Sequence, residues 1–346
     1  MKFNILFTSG GGMWVPHFVS LFRNSKIINF YITDINTNVI AKNFCKKFFR
    51  VPHPKDKGFI NSIIKIIKKN SINLVIPASD EEALALSKKK NDIEKKFKVK
   101  IATVNYHLLK NFFTKDKTYE TLKKNNIKVA NWRKINNIKE LKKNIDNYRN
   151  NKKDFVIKPS NSRGGRDILI FRSDIKNIFH ENFGREKHIP FKNLKRFNFK
   201  QFNIKYPAII MDRLFGPLLD MDLLCWKGKL LQLAVRERIG SQGINGNIIK
   251  KYNKKYFFYA QKVSKIFKLS WIFDCDLMHD RHGNPVIIEL NPRLSGSIYS
   301  SIQCGIPFIE NLIFCCKNKQ NQIKKIKIKK DIKILAYKSA KKISNF

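Results

Sequence analysis

The chain has 346 residues, of which 70 are Lys or Arg and 26 are Asp or Glu, a formal charge of +44; 43% are hydrophobic, including 28 Phe. That apolar content excludes a disordered chain, and the length suffices for two or three domains with a substantial core. No apolar run reaches the length of a membrane span, and the opening MKFNILFTSGGG runs into glycines too soon for a signal peptide. The positive charge is spread as lysines through every segment, with no arginine-rich stripe and no interleaving of aromatic and basic residues. It reads as a compositional bias that makes polyanions stick in a salt-sensitive way, with no specific nucleic acid and no membrane as partner.

The first third alternates apolar strands with helical stretches. KFNILFTSG is a strand running into a glycine turn, VPHFVSLFRN a helix, and INFYITDIN a strand ending in Asp34. FINSIIKIIKKNSIN is a helix, and LVIPASDEEALALSKK is a strand, a turn and a helix capped by Ser79 or Asp80. Such alternation implies a parallel sheet with helices on both faces. The SGGG at 9–12 lacks dinucleotide-fingerprint spacing and serves equally as a tight strand-to-helix turn. Crevices in such sheets lie at the carboxyl ends of the strands, where Gly10–Gly12, Asp34 and Ser79–Asp80 would gather as candidates for an acceptor substrate. The six cysteines show no C-x-x-C spacing, and Cys315 and Cys316 are adjacent. Free thiols in a reducing compartment, the cytoplasm, are the expectation.

From about residue 106 the character changes. FFTKDKTYETLKKNNIKVANW gives a helix from near Lys115 and then a short strand. DFVIKPSNSRGGRDILIF gives strand, loop, strand, with Lys158 ending an apolar strand. Backbone N–H groups of the loop from Ser160 to Arg166 can wrap phosphate oxygens while Lys158 supplies a point charge; an ordinary hairpin with a surface lysine fits equally. YPAIIMDRLFGPLLDMDLLCWKGKLLQLAVRERI reads as successive strands with turns at Gly216–Pro217 and Lys227–Gly228, Arg236 and Arg238 sharing a face. The basic tail from Lys317, with IKKIKIKK, reads as an edge strand.

WIFDCDLMHDRHGNPVIIELN reads as a hairpin around the polar turn Asp280 to Asn284. Side chains on a strand alternate faces, so Glu289, Asn291 and Arg293 share one face, with Ile288 and Leu290 anchoring the other. Folding the hairpin brings Asp276 near Glu289. Oxygen ligands from Asp276, Glu289 and Asn291 suit Mg²⁺ that also takes phosphate oxygens from a substrate. Asp274 reads as a supporting or solvent-facing residue.

These segments, in this order, resemble the ATP-grasp superfamily, nearest to carbamoyl-phosphate synthase large-subunit-like members in a short single-unit form. The resemblance runs to about residue 305 and rests on four motifs: Asp276 followed by E-x-N-P-R at Glu289 to Arg293; KDKT at 115–118; VIKPSNSRGG; and IIMDRLFG. It implies an α/β and α+β chain: a Rossmann-like domain at 1–105, a two-lobed ATP-grasp domain at 106–316, and a basic strand or tail at 317–346. It implies that Lys117 and Lys158, with Ser160, Arg163, Gly164 and Gly165 of the loop, hold ATP phosphates. Met211, Asp212, Arg213 and Leu214 would meet the adenine edge, and Asp276, Glu289 and Asn291 would hold Mg²⁺, with Mn²⁺ as an alternative. Arg293 would stabilise the transferring phosphoryl group in a ligase joining a small-molecule carboxylate to an amine. The chain departs from the family at Leu218, where a ribose-binding acid is common and Asp220 lies two residues on. It departs also at Asp212, a hinge acid usually Glu, and at Asp167, where glycine is common. These departures keep two alternatives in view: a nucleotide- or polyanion-binding protein with altered catalysis, and carboxyphosphate or carbamoyl-phosphate-type chemistry. Homo-oligomerisation is left open.

Overall fold

The computed structural model describes residues 2–162, 164–181, 185–196, 198–199, 204–239 and 246–336. Its first sheet is parallel, with β1 (Phe3–Phe7), β2 (Ile28–Asp34), β3 (Lys47–Arg50), β4 (Leu74–Ile76) and β5 (Lys100–Ile101) in the order β3-β2-β1-β4-β5. Alternation along β1 sends Ile5 and Phe7 to one core, with Phe18 of α1 (Val15–Ser20), and Leu6 to another. That second core holds Phe59 and Ile63 of α2 (Gly58–Lys69) and Leu86 of α3 (Asp80–Phe97). The α3 cap is Ser79, whose side chain accepts from the Glu82 N–H.

Two helices, α4 (Tyr106–Phe112) and α5 (Lys115–Lys124), lead to the second sheet. Its strands are β6 (Trp132–Ile135), β7 (Phe155–Pro159), β8 (Ile168–Arg172), β9 (Phe179–Glu181), β10 (Glu186–Pro190) and β11 (Ala208–Asp212), ordered β6-β11-β7-β8-β10-β9. Helix α6 (Ile138–Asn150) buries Leu141, Ile145 and Tyr148 in its core. The third sheet contains β12 (Phe215–Trp226), β13 (Lys229–Arg238), β14 (Gly246–Ile249), β15 (Trp271–His279), β16 (Pro285–Asn291) and β17 (Ile332–Leu335), ordered β16-β15-β12-β13-β14-β17. Helices α7 (Lys254–Ile266), α8 (Ile298–Gln303) and α9 (Phe308–Cys316) pack around it.

Two local expectations are corrected. Gly216–Pro217 does not end a strand: β12 runs through it, and the pairing with β15 slips between Phe215 and Leu219. The edge strand exists but is Ile332–Leu335, not the IKKIKIKK run. In that run the Ile326 backbone is held at both its N–H and its carbonyl by the Gln232 amide, at 2.8 Å each, instead of by a strand. Gly246 lets β17 approach: a Cβ there would sit 2.8 Å from the Ile334 carbonyl oxygen.

The six cysteines are free. Among the described residues, no helix is long and apolar enough to cross a membrane. One continuous core joins residues of the first sheet (Ile5, Phe7) to the third (Leu224, Trp271) and to α9 (Phe308, Leu312). The carboxyl ends of β1 and β4 therefore sit against the loop that follows β16, and this positions the site.

Candidate active site

Four strands of the third sheet carry charge on one face. Period two places Asp220 with Asp222 on β12, Arg236 with Arg238 on β13, Asp274 with Asp276 on β15, and Glu289 with Asn291 on β16. Register then sets Asp220 opposite both Asp276 and Arg236, Asp222 opposite Asp274, Asp274 opposite Asn291, and Asp276 opposite Glu289. The β15–β16 pairing slips just beyond Asp276, where Leu277 meets Ile287. This bulge corrects the simple alternation expected for β16: Ile287 and Leu290 are the core residues, and Ile288 is half-buried. The Ile288 carbonyl, freed from the ladder, accepts from the Tyr119 hydroxyl of α5.

The face is buried and needs compensation. Arg236, fully buried, donates to Asp222 at 2.8 and 3.0 Å and to Asp220 at 3.0 Å. Arg238 adds two bonds to Asp220, at 2.8 and 2.9 Å. Burial would raise the Asp220 pKa, but Arg238 and Arg236 hold it down at about 2. Asp274 and Asp276 are compensated less. Burial and the neighbouring Asp220 push Asp274 up to about 7, and burial with Asp274 and Asp220 puts Asp276 well above the usual carboxylate range. One oxygen of each, Oδ1, is buried without a hydrogen-bond partner, with Arg236 Nη2 at 3.7 Å from that of Asp274 and Arg238 Nη2 at 3.5 Å from that of Asp276 as ion-pair neighbours only. Asp274 is thus buried and not solvent-facing. It accepts from the Asn291 amide nitrogen at 3.2 Å, which turns the Asn291 oxygen away from it.

Two lysines face the same carboxylates. Lys115, at the start of α5, lies 2.9 Å from Glu289 and donates to the Ser162 carbonyl. Lys158, at the end of β7, is 2% exposed and donates to the Tyr119 hydroxyl at 2.9 Å. Burial, then the charge of Lys115, lowers its pKa to about 7. Burial opposes ionisation of Glu289, but Lys115 and Lys158 outweigh it and hold its pKa below the ordinary value.

Buried carboxylate oxygens without hydrogen bonds and an amide oxygen suit a hard divalent cation, and the two lysines suit the phosphate oxygens such a cation carries. Asp220, Asp274 and Asp276 can each bring one oxygen within 4.8 Å of the others, but Asp220 is already held by Arg236 and Arg238. The donor types left on the hairpin, the carboxylates of Asp274 and Asp276 with Glu289 and the Asn291 amide opposite them in register, are those Mg²⁺ takes.

Arg293, two residues beyond Asn291, turns its Nε toward Asp80 at the start of α3, 3.4 Å away, and donates from Nη1 to the Leu294 carbonyl. Beside it the glycine turn after β1 is tied to β2, with Gly11 N–H donating to Asp34 at 2.7 Å. Trp14 packs against Gly12 and Gly296. A cavity of about 460 Å³ opens beside the loop after β7, lined in part by Glu81, Asn161, Ser162, Arg166, Lys205 and Tyr206. None of the hairpin carboxylates lines it.

Comparison with known folds agrees with this layout. Residues 205–340 match the family model described as ATP-grasp in the biosynthetic pathway with Ter operon, and residues 5–102 match the PylC-like N-terminal domain. Among solved structures, N5-carboxyaminoimidazole synthetase from Staphylococcus aureus complexed with ADP superposes with a TM-score of 0.62 at 15% identity, covering 88% of this chain and 74% of that one. The fold is that of the ATP-grasp superfamily. The biotin carboxylase domain dimer of Hydrogenobacter thermophilus 2-oxoglutarate carboxylase, in complex with MgADP, ADP and bicarbonate, gives 0.64 at 13% identity, covering 95% and 72%. The L-amino acid ligase from Bacillus licheniformis gives 0.60 at 13%, covering 93% and 77%. No curated protein matches the chain by sequence.

In this ATP-grasp fold the residues singled out from sequence divide into those that converge and those that do not. Asp276, Glu289, Asn291, Lys158 and Arg293 converge. Lys117 is exposed on α5, and the buried lysine facing Glu289 is Lys115. The swap follows from helix geometry: α5 starts at Lys115, and two residues along a helix point to different sides. Ser160 is fully buried, and its hydroxyl donates to Asp116 at 2.6 Å, so it braces the loop against α5. Gly164, Gly165 and Asp167 all have positive φ, which accounts for glycine being the common residue at the last of these. Arg163 lies outside the described residues.

At the hinge, Met211 is buried, Asp212 accepts from Tyr148 at 2.8 Å, and Arg213 pairs with Asp154 at 2.9 Å; Leu214 is buried after them. The hinge side chains are thus held by protein partners or buried, and the Asp212 and Arg213 N–H groups donate to the Asn131 and Asp154 carbonyls at 2.9 and 3.2 Å. Asp220 belongs to the arginine cluster and does not stand in for a ribose contact at Leu218. Lys115 and Tyr119 were missed from sequence, as was the place in the charged cluster of Asp222 and of Asp220, which was weighed only as a ribose contact. The period-two D-M-D of β12 was the available signal for the last two.

Proposed function

We propose that this ATP-grasp chain is an ATP- and Mg²⁺-dependent ligase that joins a small-molecule carboxylate to an amine through an acyl phosphate. The observation that carries the reading is the buried hairpin cluster, where Asp274 and Asp276 each keep an oxygen without a hydrogen bond beside Glu289, Asn291 and two buried lysines. A stability-only design would not bury such a set, because buried carboxylate oxygens that lack hydrogen bonds cost free energy.

In this reading Asp276, Glu289 and Asn291 hold Mg²⁺, with Asp274 beside them and Mn²⁺ as a substitute. When bound, the ion neutralises charge on the phosphate oxygens of ATP. Lys158 and Lys115 meet those oxygens, and the backbone of the loop at Gly164 and Gly165 covers them, with Ser160 bracing its base. The segment Met211, Asp212, Arg213 and Leu214 borders the adenine. A carboxylate oxygen of the substrate attacks the γ-phosphorus, and ADP leaves. The amine nitrogen then attacks the acyl carbon, phosphate leaves, and the nitrogen loses a proton. The Arg293 fork meets the oxygens of the transferring group. The carboxyl ends of the first sheet, at Gly10–Gly12 and Asp34, form the acceptor side.

The proposal extends to units at 1–105 and 106–316 with the tail from 317, to kinship with carbamoyl-phosphate synthase large subunits, and to a cytoplasmic setting. Its test is a metabolite screen for ATP-dependent phosphate release, followed by mass spectrometry of the product. Release that requires both a carboxylate and an amine supports it. ATP binding with no acceptor-dependent release across carboxylates and amines would leave a nucleotide-binding protein.

A further inference from the structure

The residue that could deliver Arg293 to the reaction comes from the other half of the molecule. Asp80 follows β4 of the first sheet and begins α3, behind the Ser79 cap. It is 5% exposed, and its Oδ1 lies 3.4 Å from Arg293 Nε. Arg293 Nη1 is spent on the Leu294 carbonyl at 3.1 Å. A guanidinium has five N–H groups in a fixed plane. The Asp80 contact at Nε is an ion pair without a hydrogen bond, and together with the Nη1 bond it restrains that plane.

A second contact pins the same loop. A Cβ on Gly296 would lie 3.1 and 3.2 Å from the Trp14 ring, so the loop after β16 lies flush against the turn after β1. Trp14 is fixed in turn by edge contacts to Phe7 and Phe18, with centroids 5.7 and 5.8 Å away. The loop bearing Arg293 is thus clamped at two points by the first-sheet unit.

We infer that Asp80 is a positioning residue for Arg293, and that the first-sheet unit orients the reacting guanidinium through the Asp80–Arg293 pair and the Trp14–Gly296 contact. This rests on the ligase reading above. The loss of orientation is felt where the fork must match a developing charge, so it falls on kcat and spares ATP affinity. A role confined to folding would instead lower stability and leave the folded fraction with normal kcat.

The experiment is a double-mutant cycle on the full chain. ADP release with the carboxylate and amine identified by the screen is measured for wild type, Asp80→Ala, Asp80→Asn, Arg293→Ala and the Asp80→Ala/Arg293→Ala pair. Mg·ATP affinity is measured by calorimetry and stability by urea. Asp80→Ala should lower kcat about 10-fold with ATP affinity unchanged, and the double variant should be no slower than Arg293→Ala alone. Asp80→Asn keeps an oxygen of the same shape and should lose only about 3-fold; it carries the test if the alanine variant fails to fold. Gly296→Ala should lower kcat in the same way. Additive losses in the cycle, or normal kcat in Asp80→Ala and Asp80→Asn, overturn the inference while the ligase reading stands. Wild type that binds no Mg·ATP overturns the ligase reading itself.

Discussion

The two faces of the third sheet use the same strands to opposite ends. On one face Leu219, Met221 and Leu223 of β12 meet Phe273, Cys275 and Leu277 of β15 in an apolar core. On the other, one residue along, Asp220 and Asp222 meet Asp274 and Asp276, and Arg236 and Arg238 lie across from them. Both faces are buried, but only the first gains from burial, at about 1.5–3 kcal/mol for a side chain the size of Phe or Leu. The second must offset desolvation with ion pairs, and at Asp274 and Asp276 the offset is incomplete. The lesson is that a buried face can be read by asking where compensation weakens: Asp220 and Asp222 are hydrogen-bonded to arginines, while Asp274 Oδ1 and Asp276 Oδ1 have only longer ion pairs, and on the proposed reading those are the oxygens a ligand would use.

The sharpest way to break this contrast is Glu289→Ala. Turnover should be abolished while urea denaturation stays cooperative with a midpoint near that of wild type. A variant that still shows Mg²⁺-dependent turnover removes the hairpin from the site. Next comes Arg236→Met, which strips both arginine bonds from Asp222, leaves Asp220 to Arg238 alone and should destabilise by about 3–5 kcal/mol. Phe273→Ala on the opposite face should cost a similar 3–5 kcal/mol, roughly, yet leave Mg·ATP affinity of the folded protein intact. An Arg236→Met chain as stable as wild type would mean that the charged face is solvated and not a buried network.

Arg293→Lys keeps the charge and loses the planar fork, so kcat should fall about 10²-fold with little change in ATP affinity. Near-wild-type turnover would reduce Arg293 to an ion-pair partner of Asp80. A smaller effect comes from Lys158, whose pKa in the fold is about 7 against about 10.4 for a free lysine. Between those values the unfolded chain holds a proton that the folded chain lacks, so stability rises with pH across that window and the penalty is fully present below it. Denaturation at pH 7 and 9 should show this slope in wild type and its loss in Lys158→Met, which should also bind ATP more weakly than wild type while binding adenosine equally well. The smallest effect should be Lys117→Ala, within about 0.5 kcal/mol of wild type in stability and unchanged in ATP affinity, whereas Lys115→Ala weakens ATP binding. The reverse result would return the phosphate role to Lys117.

The elements with strong local signals were legible from the chain itself. The apolar runs of β1, β2 and β4, the Ser79 cap and the polar turn of the β15–β16 hairpin are written in neighbouring residues, because periodicity and capping act over a few positions. Glu289, Asn291 and Asp276 were legible for the same reason: two strands joined by a short turn fix their own register. The bulge at Ile288 was not legible, since it depends on Tyr119 arriving from a helix 169 residues earlier in the chain. Nor was the choice of Lys115 over Lys117, which turns on where α5 begins and on Glu289 and Ser162 standing nearby. The pairing of Asp80 with Arg293 spans the whole molecule and has no local pattern at all. Sequence by itself determined the strand pattern of the hairpin and the residue types it offers at each spacing, because residue type and spacing are local properties. Only the tertiary structure decided which of them are buried, paired or left without a donor, because desolvation and charge compensation depend on what distant segments bring to the same few ångströms.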